Sequence, residues 1–298
     1  MPGGLHFLTA LPRIDGDPDA GSLGDGLDRL VTRVAEAWPG PAGPKLRLLP
    51  HRVAATELLD QVGGGPAGRL LLGVDEKALA LVGLDPDTEP HWLVFGDGRS
   101  GKSAALRTYV HEVVRTRAPA EAQLVVVDYR RSLPGEVPDA HLLHYLTSAT
   151  QAAPTLAELA QHLTRRLPDP DVTPVQLRRR SWWTGADVFV VVDDYDLVAT
   201  GQGSPLHPLL PLLAQARDVG LHLALARRAG GASRALYEPL IQTLRDLASP
   251  GLLLSGSPDE GPLVGGVRPT AYPPGRGRLV TRDRGVDVVQ LAWREPTL

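Results

Sequence analysis

The stretch Gly96-Asp97-Gly98-Arg99-Ser100-Gly101-Lys102-Ser103 fills every fixed position of the pattern G-x-x-x-x-G-K-[ST]. It directly follows the apolar run Trp92-Leu93-Val94-Phe95, and a helical pattern over 102–117 begins inside it. Such a loop cradles phosphates because successive backbone N–H groups form an anion nest at a helix N-terminus. Its lysine reaches the β- and γ-phosphates, and its last hydroxyl holds Mg²⁺. We therefore predict that residues 96–104, up to and including Ala104, bind a nucleoside triphosphate and that Ser103 is a ligand of Mg²⁺.

Lysine is rare in this chain, with only Lys45, Lys77 and Lys102, so one of few lysines stands where the pattern requires it. A compact ammonium acts as a point charge inside the nest, whereas a planar guanidinium needs a different geometry. The alternative interpretation is a glycine-rich turn that ends in Gly-Lys-Ser by coincidence. The strand pattern before the loop and the helix pattern after it favour the phosphate-binding interpretation.

The composition sets limits on the class of protein and on its partners. The 298 residues are 43% hydrophobic and 22% charged, as in an ordinary globular protein. No apolar run approaches the roughly 18 to 20 residues that cross a bilayer, so we expect no direct membrane insertion. The start lacks the pattern of a secretory leader, and zero cysteines exclude disulfides and thiolate metal sites. The net charge of −3 argues against a nucleic-acid partner, and we interpret the basic cluster Arg178-Arg179-Arg180 as a solvated or helix-terminal cluster.

Apolar runs and helical patterns alternate from about residue 90 onward. Continuous apolar runs predict strands buried on both faces at 93–95, 124–127, 188–192 and 221–225. Helical patterns are found at 102–117, 154–167, 175–182 and 206–218. The alternation predicts an α/β fold with a mostly parallel central sheet and helices on both faces. A hairpin predicted at 277–291 adds antiparallel edge strands.

The first part of the chain is predicted to be an N-terminal extension of residues 1–70, packed on a nucleotide-binding domain of residues 71–298. Apolar residues at helical spacing predict a helix from Leu23 to Val34 and another at 54–62. Leu46-Arg47-Leu48-Leu49 is a short strand candidate. A strand pair is predicted at 70–74 and 80–82, where the extension leads into the domain.

A pair of carboxylates follows the predicted strand Val188–Val192, about ninety residues beyond the loop. Asp193 and Asp194 then lie at the carboxyl edge of the sheet, where open α/β sheets place their ligands. We predict Asp193 as the second Mg²⁺ residue beside Ser103, and Asp194 as the catalytic group that polarises the attacking water. The alternative is an acidic turn after a core strand. P-loop ATPases that hydrolyse ATP rapidly generally carry glutamate at the position of Asp194, and aspartate is shorter. A misplacement of a catalytic group by ~1 Å can cost on the order of a hundredfold in rate.

Several segments together carry a family resemblance. His91 to Gly96 running into the loop, Val125 to Arg131, Val192-Asp193-Asp194-Tyr195 and Ala216 to Leu223 resemble the FtsK/SpoIIIE-type ATPases, and more closely the EccC-type ATPase of bacterial type VII (ESX) secretion systems. Further similarity lies in 230–239 and 273–278. The resemblance covers nearly the whole chain from about residue 70 and, more loosely, residues 1–70.

The resemblance implies a RecA-like P-loop NTPase fold with ATP and Mg²⁺ as ligands. Such ATPases carry three tandem modules behind a membrane anchor, and this chain is most similar to the third. Implied partners are a small helical secreted substrate, bound through its C-terminal signal peptide, and the neighbouring ATPase modules. Oligomerisation on substrate binding is allowed by the resemblance, and the implied location is cytoplasmic, tethered to the membrane through the parent polypeptide.

The resemblance also bears on turnover, because DNA-translocating relatives carry a Thr-Gln-Arg-like sensor of the γ-phosphate where this chain has Arg227-Arg228-Ala229. We therefore predict tight ATP binding with weak or no hydrolysis, and we leave open whether this module is an enzyme. Arg217 stands where an arginine finger could be offered to a neighbouring module. The alternative for Arg217 is a surface ion pair with Asp218.

Two other functions use the same loop. An active FtsK-like DNA-translocating ATPase is the first alternative, opposed by the acidic balance and the altered sensor. A small-molecule kinase is the second.

Three further features have both a functional and a structural interpretation: Asp128, Trp182-Trp183, and the leucine stripe Leu206, Leu209, Leu210 and Leu213. Asp128 is either near the nucleotide or a capping carboxylate, the tryptophans mark a partner groove or an interface between domains of the parent polypeptide, and the stripe is a docking surface or core.

Overall fold

The computed structural model describes residues 13–41, 43, 48–62, 68–200 and 203–297. The chain divides into two compact units, Met1–Leu46 and Arg47–Leu298. The predicted division at residues 70 and 71 remains a prediction. No helix within the described ranges combines the length and the apolar character needed to span a membrane.

Among its described residues, the first unit contains a 3₁₀ helix over Ala20–Ser22 followed by one α-helix, α1 (Leu23–Ala37). Arg13 organises the turn before it, because its guanidinium donates to the carboxylates of Asp15 and Asp17 and to the hydroxyl of Ser22. The helix is the one predicted from the spacing of leucines and valines. Its bounds extend three residues beyond the predicted end at Val34.

The second unit is built on one sheet. Its strands are β1 (Val53–Ala54), β2 (Leu70–Asp75), β3 (Leu81–Leu84), β4 (His91–Phe95), β5 (Ala122–Val127), β6 (Leu142–Leu146), β7 (Asp187–Val192), β8 (Leu221–Arg227), β9 (Gly251–Leu253), β10 (Arg276–Thr281) and β11 (Gly285–Trp293). Its helices are α2 (Ala55–Val62), α3 (Lys102–Thr116), α4 (Ala149–Thr164), α5 (Pro174–Arg179), α6 (Tyr195–Val198), α7 (Ala216–Val219), α8 (Ala232–Ala235) and α9 (Pro239–Asp246).

The sheet order is β3-β2-β11-β10-β9-β4-β8-β7-β5-β6, with β1 paired to β11. All neighbouring pairs from β9 to β6 are parallel, and all pairs from β3 to β9 are antiparallel. The predicted α/β class with a mostly parallel sheet and an antiparallel side is confirmed. The predicted hairpin exists as β10 and β11, but it lies inside the sheet, because β2 and β3 cover its outer side.

The core lies on both faces of the parallel strands, because adjacent residues of a strand point to opposite faces. In β4, Leu93 and Phe95 join the core under α4 and α9, whereas Trp92 and Val94 join the core under α3. All five residues of the strand are buried. Burial on both faces explains why the strand appears in the sequence as a continuous apolar run.

Some predicted elements differ from the observed ones. The pattern at 206–218 forms a 3₁₀ helix over His207–Gln215 and then α7, because Pro208 and Pro211 lack the N–H groups that an α-helix needs. The helix predicted at 175–182 ends at Arg179. Leu48 and Leu49 of the strand candidate are not in a strand, and Leu46 and Arg47 lie outside the described residues. Strands β1, β6 and β9 were not predicted.

Candidate functional site

The loop between β4 and α3 has the backbone shape that the sequence pattern requires. Gly101 caps α3 with φ 111° and ψ 16°, in the left-handed region that favours glycine. A Cβ atom on Gly101 would lie 3.2 Å from the backbone nitrogen of Gly275, so a second segment packs directly behind the loop. That segment is fixed to the loop by a hydrogen bond of 2.9 Å from Gly275 N–H to the carbonyl of Ser100.

A row of free backbone donors opens at the start of α3. Within the described part of the chain, the N–H groups of Gly101, Lys102, Ser103 and Ala104 make no hydrogen bond. Helices leave their first N–H groups without intrahelical partners, and these groups carry the positive end of the helix dipole. The arrangement suits an anion such as a phosphate.

The side chain of Lys102 folds back over the same loop. Its Nζ atom lies 3.3 Å from the carbonyl oxygen of Asp97 and 3.7 Å from Oδ1 of Asp194. Only 11% of the side chain is exposed. The ammonium therefore lies beside the free N–H groups, in the place where phosphate oxygens would need a cation.

The predicted metal residues meet in the structure. The hydroxyl of Ser103 donates a hydrogen bond of 2.6 Å to Oδ2 of Asp193, at the end of β7. Burial raises the pKa of Asp193 to about 6, the charges of Asp194 and Asp128 add to this shift, and the Ser103 hydrogen bond opposes it. Mg²⁺ binds through one or two carboxylates together with hydroxyl and phosphate oxygens, so this hard-oxygen pair fits that ion.

Asp194 adopts a left-handed backbone conformation with φ 44° immediately after the strand. Its carboxylate lies between two cations, Lys102 and a residue that was not predicted, Arg130. Arg130 follows β5, the strand next to β7. The sequence gives no clear signal for it, because only the sheet order brings the ends of these two strands together.

Arg217 lies at the other edge of the sheet. It is an exposed residue of α7, before β8, and it lines a cavity of about 520 Å³ near the amino ends of β4, β8 and β9. Strands of five residues separate the two edges by about 16 Å. Arg217 and Asp194, both predicted as catalytic, are therefore not brought together, and Arg217 makes no ion pair with Asp218 in the described structure.

The segment that replaces the sensor is engaged within the protein. Arg227 is buried and forms an ion pair of 3.3 Å with Glu238. The N–H of Arg228 donates to Asp196, and the N–H of Gly230 donates to Asp97 in the loop. The guanidinium of Arg227 is thus already paired on the side of Glu238.

Three other sequence features have structural roles. Asp128 accepts hydrogen bonds from the N–H of Leu133 and the hydroxyl of Tyr145, so it caps a turn. Trp182 and Trp183 donate to the carbonyls of Arg166 and Asp218, which fixes both rings against their own chain. Of the two interpretations of the leucine stripe, core is the observed one, because Leu206, Leu209 and Leu213 are buried in the main core cluster and Leu210 packs partly buried against it.

A second cavity opens beside the loop. It measures about 300 Å³ and shares Arg99, Gly101 and Ala104 with the loop. Its far wall includes Arg52 and Trp293, with the guanidinium carbon of Arg52 5.2 Å from the centre of the Trp293 ring. Pockets of about 300 Å³ or more hold small ligands. The sequence did not indicate this wall, because its residues are about 240 positions apart.

The parallel sheet, the loop at the carboxyl edge and the Ser103–Asp193 pair define the P-loop NTPase class. The model of the FtsK/SpoIIIE family matches residues 71–227. The chain therefore belongs to the FtsK/SpoIIIE family.

Relatives to which the chain is similar include secretion proteins. The chain is 48% identical over 292 residues to the ESX secretion system protein EccC of Thermomonospora curvata and 45% identical to EccC4 of Mycobacterium tuberculosis. Both matches cover 98% of this chain and 22% of the relative, so the chain spans about a fifth of their length.

Two solved structures of Thermomonospora curvata EccC match at 48% identity over 97% of the chain. One is the cytoplasmic domain of the type VII secretion ATPase, with a TM-score of 0.85 and 33% of that structure covered. The other, ATPases 2 and 3 in complex with a signal sequence peptide, has a TM-score of 0.84 with 52% covered. The predicted resemblance to the EccC-type ATPases is confirmed.

Proposed function

We propose that this chain is the ATP-binding module of a type VII secretion ATPase, corresponding to the third module. It holds ATP and Mg²⁺ tightly, with weak or no hydrolysis. The observation that carries the nucleotide proposal is the set of free N–H groups at 101–104 beside the ammonium of Lys102. Residues 96–104 bind the phosphates, and Ser103 and Asp193 hold Mg²⁺, which supplies charge neutralisation for the triphosphate.

The cavity beside the loop is the proposed base subsite. Trp293 offers a ring face and Arg52 a planar guanidinium, both of which stack on aromatic bases. A nucleotide with its base in this cavity can have its phosphates at residues 101–104, because Gly101 and Ala104 line the cavity and also lie at the start of α3. These contacts hold the nucleotide without any part in its hydrolysis.

Weak hydrolysis is proposed from the second carboxylate. Asp194 is one methylene shorter than glutamate, and it is paired with two cations in the described structure. The carboxylate that would polarise the attacking water is therefore short and already engaged by two cations. Any residual hydrolysis depends on Asp194.

Substrate docking through a C-terminal signal is the second part of the proposal. Its support is the similarity to EccC, whose ATPases 2 and 3 were solved with a signal sequence peptide. The module works on the cytoplasmic side, tethered through its parent polypeptide, beside neighbouring ATPase modules and with oligomerisation on substrate binding.

Nucleotide content after purification tests the first part. We expect extracted ATP, not ADP, close to one per chain, and its loss in Lys102→Ala. Lys77→Ala is the matched control, because Lys77 is an exposed lysine paired with Asp287 away from the loop. Rapid phosphate release, or ATP retained by Lys102→Ala, contradicts the proposal.

Peptide titration tests the second part. A fluorescent peptide with a C-terminal secretion signal should bind saturably, and a scrambled peptide should not. DNA affinity that falls steeply with salt would instead favour the DNA-translocating alternative. Phosphate transfer to a small acceptor would favour a kinase.

A further inference from the structure

The carboxylate of Asp194 has a cation at each oxygen. Oδ2 lies 2.7 Å from Nε of Arg130, and Oδ1 lies 3.7 Å from Nζ of Lys102. The Asp194 side chain is only 17% exposed. The group predicted to polarise water is therefore enclosed by positive charge.

Arg130 reaches Asp194 from a rigid support. Strands β5 and β7 are parallel neighbours with Val127 opposite Val192, so the residues that follow them emerge side by side. The turn after β5 is closed by hydrogen bonds to Asp128, from the N–H of Arg131 to its carbonyl and from the N–H of Leu133 to its carboxylate. The backbone that carries Arg130 is thereby held in one place.

Bound nucleotide is expected to affect the contacts of Lys102 and Arg130 with Asp194 differently. Lys102 belongs to the phosphate loop, and in such loops the lysine turns to the β- and γ-phosphates. Arg130 lies outside the loop, and its side chain is half exposed with Asp194 as its ion-pair partner in the described structure. The Arg130 contact is therefore the one that can persist in the loaded state.

We propose that Arg130 is a positioning residue that restrains hydrolysis by holding the Asp194 carboxylate in an ion pair. This proposal rests on the proposed function as an ATP-binding module. In hydrolysis a water oxygen bonds to the γ-phosphorus, the bond from that phosphorus to the β–γ bridging oxygen breaks, and the water proton moves to Asp194, leaving ADP and phosphate. A guanidinium on Asp194 competes with that water for the carboxylate lone pairs.

A different role for Arg130 is direct contact with the γ-phosphate. The affinities for ATP and ADP distinguish the two roles. A phosphate contact makes Arg130 selective for ATP over ADP, whereas a restraint on Asp194 leaves the ratio of the two affinities unchanged. The restraint acts only through Asp194, so it disappears when the carboxylate is replaced.

The test uses the full chain with Arg130→Gln, Arg130→Lys, Asp194→Asn and the double variant Arg130→Gln/Asp194→Asn. Three quantities are measured: single-turnover hydrolysis of bound ATP, equilibrium affinities for ATP and ADP by displacement of a fluorescent analogue, and the midpoint of thermal unfolding without nucleotide. Arg131→Gln is the control, because Arg131 is exposed and makes no ion pair in the described structure.

We expect Arg130→Gln to raise the single-turnover rate at least about fivefold, and Arg130→Lys to raise it less. Adding Asp194→Asn should remove the gain. The ATP-to-ADP affinity ratio should stay within twofold, and the two substitutions should be non-additive in the unfolding midpoint without nucleotide. Arg131→Gln should match the wild type.

Three results overturn the proposal while ATP binding stands. They are an unchanged rate in Arg130→Gln, a gain that survives Asp194→Asn, and a loss of ATP affinity of more than tenfold with ADP affinity intact. If the wild type binds no ATP, the proposed function itself fails. Additive unfolding midpoints would overturn the proposal as a fourth result, because they would show that the ion pair does not form.

Discussion

The Ser103 hydroxyl and the Asp193 carboxylate are joined by a hydrogen bond of 2.6 Å, which links the start of α3 to the end of β7. The two residues are ninety positions apart in the chain. Their contact places a hydroxyl and a buried carboxylate side by side at the carboxyl edge of the sheet, which is the pair proposed to hold Mg²⁺.

Substitution Ser103→Ala should therefore uncouple ATP affinity from Mg²⁺. We expect at least a tenfold weaker affinity than wild type in Mg²⁺, and no difference in EDTA, because only the metal-bound state uses the hydroxyl. Calorimetric titration with and without EDTA measures this. Ser103→Thr keeps a hydroxyl and should retain the Mg²⁺ dependence, and its failure to do so would contradict the assigned role.

Two glycines of the loop should respond differently to alanine. A Cβ on Gly96 would lie 2.3 Å from Oγ of Ser100 and 2.9 Å from Cβ of Leu254, whereas a Cβ on Gly98 meets no atom within 4 Å. We expect Gly96→Ala to lower the free energy of unfolding by about 1–3 kcal/mol and to weaken ATP binding. Gly98→Ala should stay within about 0.5 kcal/mol. Urea unfolding compares the two, and equal effects would argue against the steric explanation.

Trp293→Ala should weaken nucleotide binding by loss of stacking on the base. Base–aromatic stacking contributes about 1–3 kcal/mol, so we expect roughly a 5- to 150-fold lower ATP affinity. Inorganic triphosphate, which has no base, should bind equally to variant and wild type. Tyr237→Ala removes an aromatic ring that is 84% exposed and absent from the cavity lining, and it serves as the control.

His91 should make stability fall as the pH drops. Burial lowers its pKa to about 4, below the ordinary value of 6.5. Between these two pH values the unfolded chain binds a proton at His91 and the folded chain does not. His91 therefore costs no stability above pH 6.5. As the pH falls below that value, the free energy of unfolding decreases, and the loss due to His91 reaches about 2 kcal/mol at pH 5. Asp193 has the opposite sign, because its raised pKa makes the folded state bind the proton more tightly.

The measurement for His91 is therefore the difference between two proteins. Urea unfolding of the wild type and of His91→Gln at pH 7 and pH 5 cancels the contributions that the two share. The wild type should lose about 2 kcal/mol more than the variant over that interval. Equal losses would show that His91 is not the responsible group.

Arg217→Ala should leave the isolated chain unchanged in ATP affinity and turnover. The residue lies at the amino edge of the parallel strands, and the loop lies at the carboxyl edge, so Arg217 does not reach its own phosphates. An arginine finger in trans predicts an altered turnover only when a neighbouring module is present. Steady-state phosphate release, with and without that module, separates the two roles.

Much of the fold and the phosphate loop could be predicted because the signals are local. The loop pattern, the apolar run of β4 and the carboxylates after β7 each lie within a few residues. Strand β6 was missed because its sequence Leu-Leu-His-Tyr-Leu is half exposed, and β9 was missed because it has three residues. The positions of Arg130 and of Arg52 with Trp293 depend on sheet order and distant pairing, which no local pattern contains.

The hydrogen bond from Gly275 to Ser100 has a consequence for the synthesis of this protein. The loop is supported from behind by a segment made long after it, and Gly275 in turn accepts from Leu291 in β11. A ribosome-bound chain that ends before this hairpin has the complete phosphate pattern but lacks the support that shapes it. We therefore expect the phosphate loop to take its final shape only after Gly275 and this hairpin have been synthesised.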